Sequence, residues 1–182
     1  IQRDPRLAMQ ESGKKKRPQG LKLASQKGKR PQREGPEHLL VDGYNVIFSW
    51  EELKALAQES LEAARGRLMD ILCNYAAYRQ CVPILVFDAY KVPQNLGMVE
   101  KYHNIFIVYT QEAETADSYI ERVTYELRGR KRVRVATSDN LEQLIILGHG
   151  AVRVSAKSFH DEVMQTQQEI ERILAQNNQK NQ

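Results

Sequence analysis

The sequence predicts an α/β domain built on a central parallel sheet with helices on both faces. Two observations carry this. From His38 onward, short apolar runs alternate with segments of helical period, the βαβ pattern of a parallel sheet. The apolar runs also tend to stop at an acid, giving four ordered signatures: LLVDGYN, PILVFDA, ETADSYIE and VRVATSD. A chain of 182 residues with 41% hydrophobic content is long enough to enclose one core.

Residues 39–41 and 46–48 are apolar runs flanking a DGYN turn. An amphipathic helix follows, with Leu61, Ala64, Leu68, Ile71, Leu72, Tyr75 and Tyr78 at helical spacing. Residues 84–87, between Pro83 and Asp88, read as a buried strand, and Ile105–Tyr109 as another. A helix carrying Ala116, Ile120, Val123 and Leu127 on one face comes next, then a strand over Val133–Ala136. A helix over 141–147 ending at Gly148, a strand over 151–154 and a helix over 159–174 complete the domain. We assign the folded unit to residues 38–175 and expect residues 176–182 to be a disordered polar tail.

The net charge of +4 is unevenly spread. Residues 1–37 hold eleven Lys/Arg against four Asp/Glu, a net +7, which leaves −3 for the remainder. This segment is rich in Gly, Pro, Gln and Lys and has too little apolar surface to offset its ordering entropy, so it reads as a disordered basic tail or linker. It serves either as a solvated tether or as a non-specific grip on phosphate backbones. The first residue is Ile1, which fits a fragment of a longer protein. No apolar run approaches the roughly 20 residues of a membrane span, and there is no secretory signal; a cytoplasmic location is expected. Cys73 and Cys81 lack metal-ligand spacing and read as reduced bystander thiols.

In a parallel sheet, the loops at the carboxyl ends of the strands form the ligand crevice. Asp42, Asp88 and Asp139 each follow a strand, while Glu114 and Asp117 open the helix after another, so all five share one edge. Taken singly, Asp139 also reads as a helix cap, and Glu114 and Asp117 as first-turn acids that complement a helix dipole. Asp42 is harder to assign to structure alone, because it interrupts an apolar segment with Asn45 three residues on. Like charges crowded within ~4 Å repel by about 4 kcal/mol per pair at an effective dielectric near 20, and a divalent cation removes that conflict. Oxygen-only candidates favour Mg²⁺ or Mn²⁺ over zinc and suit phosphodiester hydrolysis. Residues 128–134, RGRKRVR, fall at the opposite edge and read as helix C-terminal and solvated charge. Tyr44, Trp50 and Tyr90 are open to two readings, as base-stacking residues near the crevice or as core.

From His38 to Leu174 the chain resembles the YacP-like branch of the NYN-domain ribonucleases, relatives of the PIN nucleases. The matching strings are LLVDGYNVIF, ILVFDAYKV, VYTQEAETADSYIE, VRVATSDNLEQLIILGHGA and RVSAKSF. The resemblance implies a three-layer α/β/α PIN-like fold and a metal-dependent endoribonuclease acting on single-stranded RNA. It places the catalytic positions at Asp42, Asn45, Asp117 and Asp139, with the three aspartates as ligands for Mg²⁺ or Mn²⁺. Asp88, Glu114 and Ser138 fit supporting positions. Lys91 and Lys101 are the RNA-binding candidates nearest the acids along the chain. The YacP-like proteins include a ribosome-associated enzyme that cleaves messenger RNA, which implies the ribosome as a partner. Similar domains extend ribosomal-protection-type translation GTPases, so an upstream GTPase domain joined through the basic tail is a further expectation. No P-loop occurs within the chain. A receiver domain would need a paired acid and a late lysine, and a haloacid-dehalogenase phosphatase DxDxT; neither pattern is present. The remaining alternative is a non-catalytic RNA- or ribosome-binding NYN module.

Overall fold

The structure, a computed structural model, describes residues 35–138 and 150–181. Asp139, the expected helix over 141–147 with Gly148, and residues 1–34 of the basic tail lie outside the described residues. The elements run β1 (His38–Asp42), α1 (Gly43–Ser49), α2 (Glu51–Glu59), α3 (Leu61–Arg79), β2 (Val82–Phe87), β3 (Val99–Tyr102), β4 (Ile105–Tyr109), α4 (Ala116–Leu127), β5 (Val133–Ala136), β6 (Val152–Val154) and α5 (Ala156–Lys180). Two 3₁₀ turns, Ala89–Lys91 and Pro93–Asn95, follow β2.

The described strands form one sheet in the order β3-β4-β2-β1-β5-β6. All neighbouring pairs are parallel except β3–β4, which is antiparallel. Strands buried on both faces need apolar residues at successive positions, and β1 supplies them. Leu39 and Val41 face one core with α1, α2, α3 and α5, while Leu40 faces a second core with α4. The three-layer α/β/α architecture follows from that split. Strand order reverses at β1, whose neighbours are β2 and β5, so the loops leaving β1 and β5 part at the carboxyl edge and open a crevice there.

Three expectations need correction. The apolar stretch Val46, Ile47, Phe48 belongs to α1 rather than to a strand beyond a DGYN turn. Asp42 caps that helix, and a run of three apolar residues carries no period that separates helix from strand. β3 was absent from the expected set; as a half-buried edge strand, VEKY lacks an apolar signature. Helix α5 continues to Lys180, through most of the segment expected to be a disordered tail.

Arg134 also departs from the solvated reading. Its guanidinium donates to both Glu162 oxygens at 3.0 and 2.8 Å and to Tyr75 Oη at 2.6 Å. Its Nε lies 3.3 Å from Glu37 Oε1, an ionic contact without hydrogen-bond alignment. This cluster ties β5, α3 and α5 to the strand-leading segment at Glu37. Cys73 and Cys81 are free thiols, and burial pushes Cys81 up to about 11, which keeps it protonated and unreactive. No helix among the described residues is long and apolar enough to cross a membrane.

At the amino edge, His38 is buried, and its Nδ1 has no hydrogen-bond partner among the described residues. Burial and then the nearby Lys131 charge depress its pKa to about 4, against the Pro36 carbonyl, which favours the charged form. The unfolded chain therefore takes up a proton near pH 6.5 that the folded protein resists down to about pH 4, so this group withdraws stability as pH falls through that window. His38→Gln should gain relative to the wild-type chain by up to ~3 kcal/mol on going from pH 7 to pH 4, the full value of the shift. Urea unfolding of both proteins at the two pH values checks this, because the difference cancels the opposing contribution of raised carboxyl groups.

Candidate active site

The carboxyl end of β1 is also the amino end of α1, and Asp42 serves both. Its side chain accepts from the Asn45 backbone N–H at 3.4 Å, in the manner of an N-cap. Gly43 is required by packing. A Cβ there would lie 2.9 Å from the Val86 carbonyl oxygen and closer still to the Phe87 ring. The Asp-Gly pair thus lets α1 start hard against β2, which sets the Asp42 carboxyl at the crevice. Gly43→Ala should cost roughly 1–3 kcal/mol as α1 is pushed from β2; an unchanged urea midpoint would contradict this packing.

The structure brings Asp42, Asn45, Asp88, Lys91 and Asp117 together around one open groove. Asp117 stands in the first turn of α4, whose N-cap Thr115 accepts from Ser118 N–H. Asp88, just beyond β2, accepts the Ala116 backbone N–H at 2.7 Å. It therefore fixes the start of α4 relative to the sheet and holds Asp117 opposite Asp42. The Asp42 and Asp117 carboxyls are within hydrogen-bonding reach of each other. Burial first, then the Asp117 charge, pushes Asp42 up to about 7, despite the Asn45 N–H that favours its anion. Asp88 is raised as well, mainly by burial.

Asn45 and Ser138 form a bridge across the switch point. Asn45 Oδ1 accepts the Ser138 backbone N–H at 2.9 Å, and Ser138 Oγ accepts the Ala156 N–H at 3.3 Å. One amide thereby ties α1 to the segment leaving β5 and, through Ser138, to the start of α5. Glu114 is set apart from the acid pair: Oε1 is paired with Arg122 at 2.6 Å and Oε2 accepts the Gln111 N–H at 3.4 Å. Lys101 is not brought to the acids. It lies on edge strand β3, three strands from β1, with Nζ 6.0 Å from the Phe106 ring centroid.

Of the aromatic candidates, Trp50 is core, buried with its indole N–H donating to Ala156 O at 2.8 Å. Tyr44 is also buried, packed on Phe87 at 5.0 Å, with its hydroxyl accepting from Arg65 at 3.3 Å. Tyr90 is 72% exposed at the groove. Phe48 was missed as a site residue; four positions after Tyr44 on α1, it follows from helical spacing once 46–48 is read as helix.

Among the described residues, no group of three or more His, Cys, Asp and Glu side chains is gathered as a metal cluster. The donor set at hand is the Asp42–Asp117 pair. A buried carboxyl in contact with a half-buried one, the former pushed up to about 7, suits a small oxygen-seeking dication, which commonly takes one or two carboxylates and retains waters.

An acid pair at the switch point of a mostly parallel, helix-flanked sheet defines a PIN-like α/β domain. The YacP-like NYN domain family matches residues 39–182, and the chain belongs to that family. It is 41% identical over 135 residues to the uncharacterized protein YacP of Bacillus subtilis (strain 168), covering 74% of this chain and 79% of the relative. Two crystal structures of Rae1 (YacP) from Bacillus subtilis superpose with it. One, a mutant form, gives TM-score 0.69 at 37% identity, covering 79% of this chain and 84% of that one. The other gives 0.68 at 36% identity, covering 79% and 82%. The NYN family generally comprises nucleases, so the domain is of a nuclease type that binds nucleic acid. An upstream translation GTPase draws no support from these relatives.

Proposed function

We propose that the protein is a divalent-cation-dependent endoribonuclease that cuts single-stranded RNA, in particular messenger RNA on the ribosome, in the cytoplasm. The observation that carries this reading is the contact between the Asp42 and Asp117 carboxyls at the carboxyl edge of the sheet. Asp42 and Asp117 would hold Mg²⁺ or Mn²⁺, with Asp139 as the third acid implied by the family. When bound, the cation would offset charge on the phosphate and lower the pKa of water. The chain's own residues set the geometry. Asp88 holds the start of α4 so that Asp117 meets Asp42, and Asn45 locks α1 to the loop leaving β5 through Ser138. Lys91 brings the positive charge that a phosphodiester needs in a groove lined by carboxylates. Glu114, neutralised by Arg122, keeps the approach to α4 ordered.

Naked RNA meets a domain whose residues after the tail sum to −3, so its intrinsic affinity is low, and placement on a ribosome would supply the missing local concentration. The +7 tail would assist through phosphate contacts. The test is cleavage of 5′-labelled single-stranded RNA and of ribosome-bound messenger, each with Mg²⁺ or with chelator. Slow cation-dependent cutting of naked RNA and much faster cutting on ribosomes are expected. Equal rates would reduce the protein to a general single-strand nuclease, and binding without cutting in any arm would make it a non-catalytic module.

A further inference from the structure

We propose that Phe48 and Tyr90 form a nucleobase-stacking subsite beside the acid pair, with Tyr90 as a wedge between two consecutive bases of a single strand. The inference rests on the RNA reading above. Tyr90 is 72% and Phe48 45% exposed, whereas Tyr44, the other aromatic residue lining the groove, is buried. Exposing two large rings at one rim brings the core nothing. Lys91 Nζ sits among them, 4.9 Å from the Tyr44 and Phe48 ring centroids and 5.6 Å from that of Tyr90. The cation and the rings thus form one cluster at the mouth of the groove that holds Asp42, Asp88 and Asp117.

Tyr90 and Asp88 also line a second groove, of about 440 Å³, with Pro93, Leu96, Gln111 and Glu114. Tyr90 is therefore the ridge between two adjoining concavities, one containing the acid pair and the other bearing apolar wall residues. Charge decides what such grooves can hold. Among the described residues lining the two grooves, Lys91 is the one cation, against Asp42, Asp88, Glu112 and Asp117, with Glu114 already paired to Arg122. A polyanion gains little from such walls by electrostatics, so the strand must be held by contacts indifferent to charge. Stacking of neutral bases on aromatic faces is that contact, and it is tolerant of sequence. Lys91, already against the rings, reaches the phosphate that joins the two bases.

The experiment uses the full chain carrying Asp42→Asn, to suppress cutting, and a fluorescein-labelled eight-nucleotide single-stranded RNA read by anisotropy with Mg²⁺ present. Tyr90→Ala and Phe48→Ala should each weaken binding roughly tenfold, while Tyr90→Phe, which keeps the ring, should bind as the parent does. Both positions are exposed, and circular dichroism melting checks that the fold is unchanged. A scan of single abasic positions then gives the decisive readout. At one or two adjacent positions the abasic loss should be large in the parent and absent in Tyr90→Ala, because the missing base has no ring to lose. Unchanged affinity in Tyr90→Ala, abasic losses that simply add to it, or no saturable binding by the parent would each overturn the subsite. If the abasic coupling holds while the wild-type chain never cuts RNA, the catalytic reading fails and the subsite stands. If cutting requires the acids but Tyr90→Ala binds normally, the reverse is true.

Discussion

Asp42→Asn should lower RNA cleavage by on the order of a thousandfold and, in the presence of chelator, give a protein more stable than the wild-type chain. Activity falls because the change removes half of the acid pair that would hold the cation. Stability rises because the carboxyl is held at about 7 in the fold, against 3.8 unperturbed, by burial and by Asp117. The folded protein binds the extra proton between those values, so stability drains away as pH rises from about 4 to 7, and the cost is complete above pH 7. The full shift amounts to at most ~4 kcal/mol; with relaxation around the groove, about 2 kcal/mol of gain is expected at pH 8 and none at pH 4. Asparagine keeps the N-cap, since its side-chain oxygen accepts the Asn45 N–H as aspartate does. Urea unfolding at the two pH values checks the stability, and a labelled-RNA gel checks the activity. A destabilised variant at pH 8 in chelator would show that the carboxylate supports the fold.

Arg134→Met is expected to cost about 3 kcal/mol, among the larger stability losses available from one side chain. The guanidinium is 13% exposed and stands between Glu37 and Glu162, which are themselves about one-third exposed, with the Tyr75 hydroxyl as a third partner. Removing it leaves two carboxylates facing each other around a buried phenol. Solvent at the two glutamates moderates the cost below that of a fully buried ion pair. The double variant Arg134→Met, Glu162→Met should recover part of the loss, since an apolar pair relieves the stranded charge. Equal stability of Arg134→Met and the wild-type chain would return Arg134 to the solvated reading.

The parallel strands of this fold were legible because burial on both faces demands uninterrupted apolar runs, as in Leu39, Leu40, Val41 and in Ile84 through Phe87. The antiparallel edge strand Val99–Tyr102 was not, because a strand packed on one side and half-covered on the other can hold Glu100 and Lys101. Asp42, Asp88 and Asp117 could be placed on one edge because each follows a strand or opens a helix, whereas their pairing depends on α4 crossing back over the sheet, which no local pattern encodes. Asp88 illustrates the gap. Its acidity marked it as a candidate, but its bond to Ala116 N–H joins residues 28 positions apart. Lys91 and Lys101 looked equivalent by distance along the chain. The antiparallel turn of β3 carries Lys101 to the far edge, while the 3₁₀ turn after Asp88 folds Lys91 back over Tyr44 and Phe48. Arg134 escaped for the same reason, since its partners come from three separate segments.

Binding of one divalent cation jointly by Asp42 and Asp117 is tested most directly by thermal unfolding during titration with Mg²⁺ and with Mn²⁺. The wild-type chain should melt at progressively higher temperature as either ion is added, by mass action on the folded state. Asp42→Asn and Asp117→Asn, each starting from its own metal-free value, should respond little or not at all. Equal upward shifts in the wild-type chain and both variants, or no shift in the wild-type chain at millimolar cation, would contradict the account.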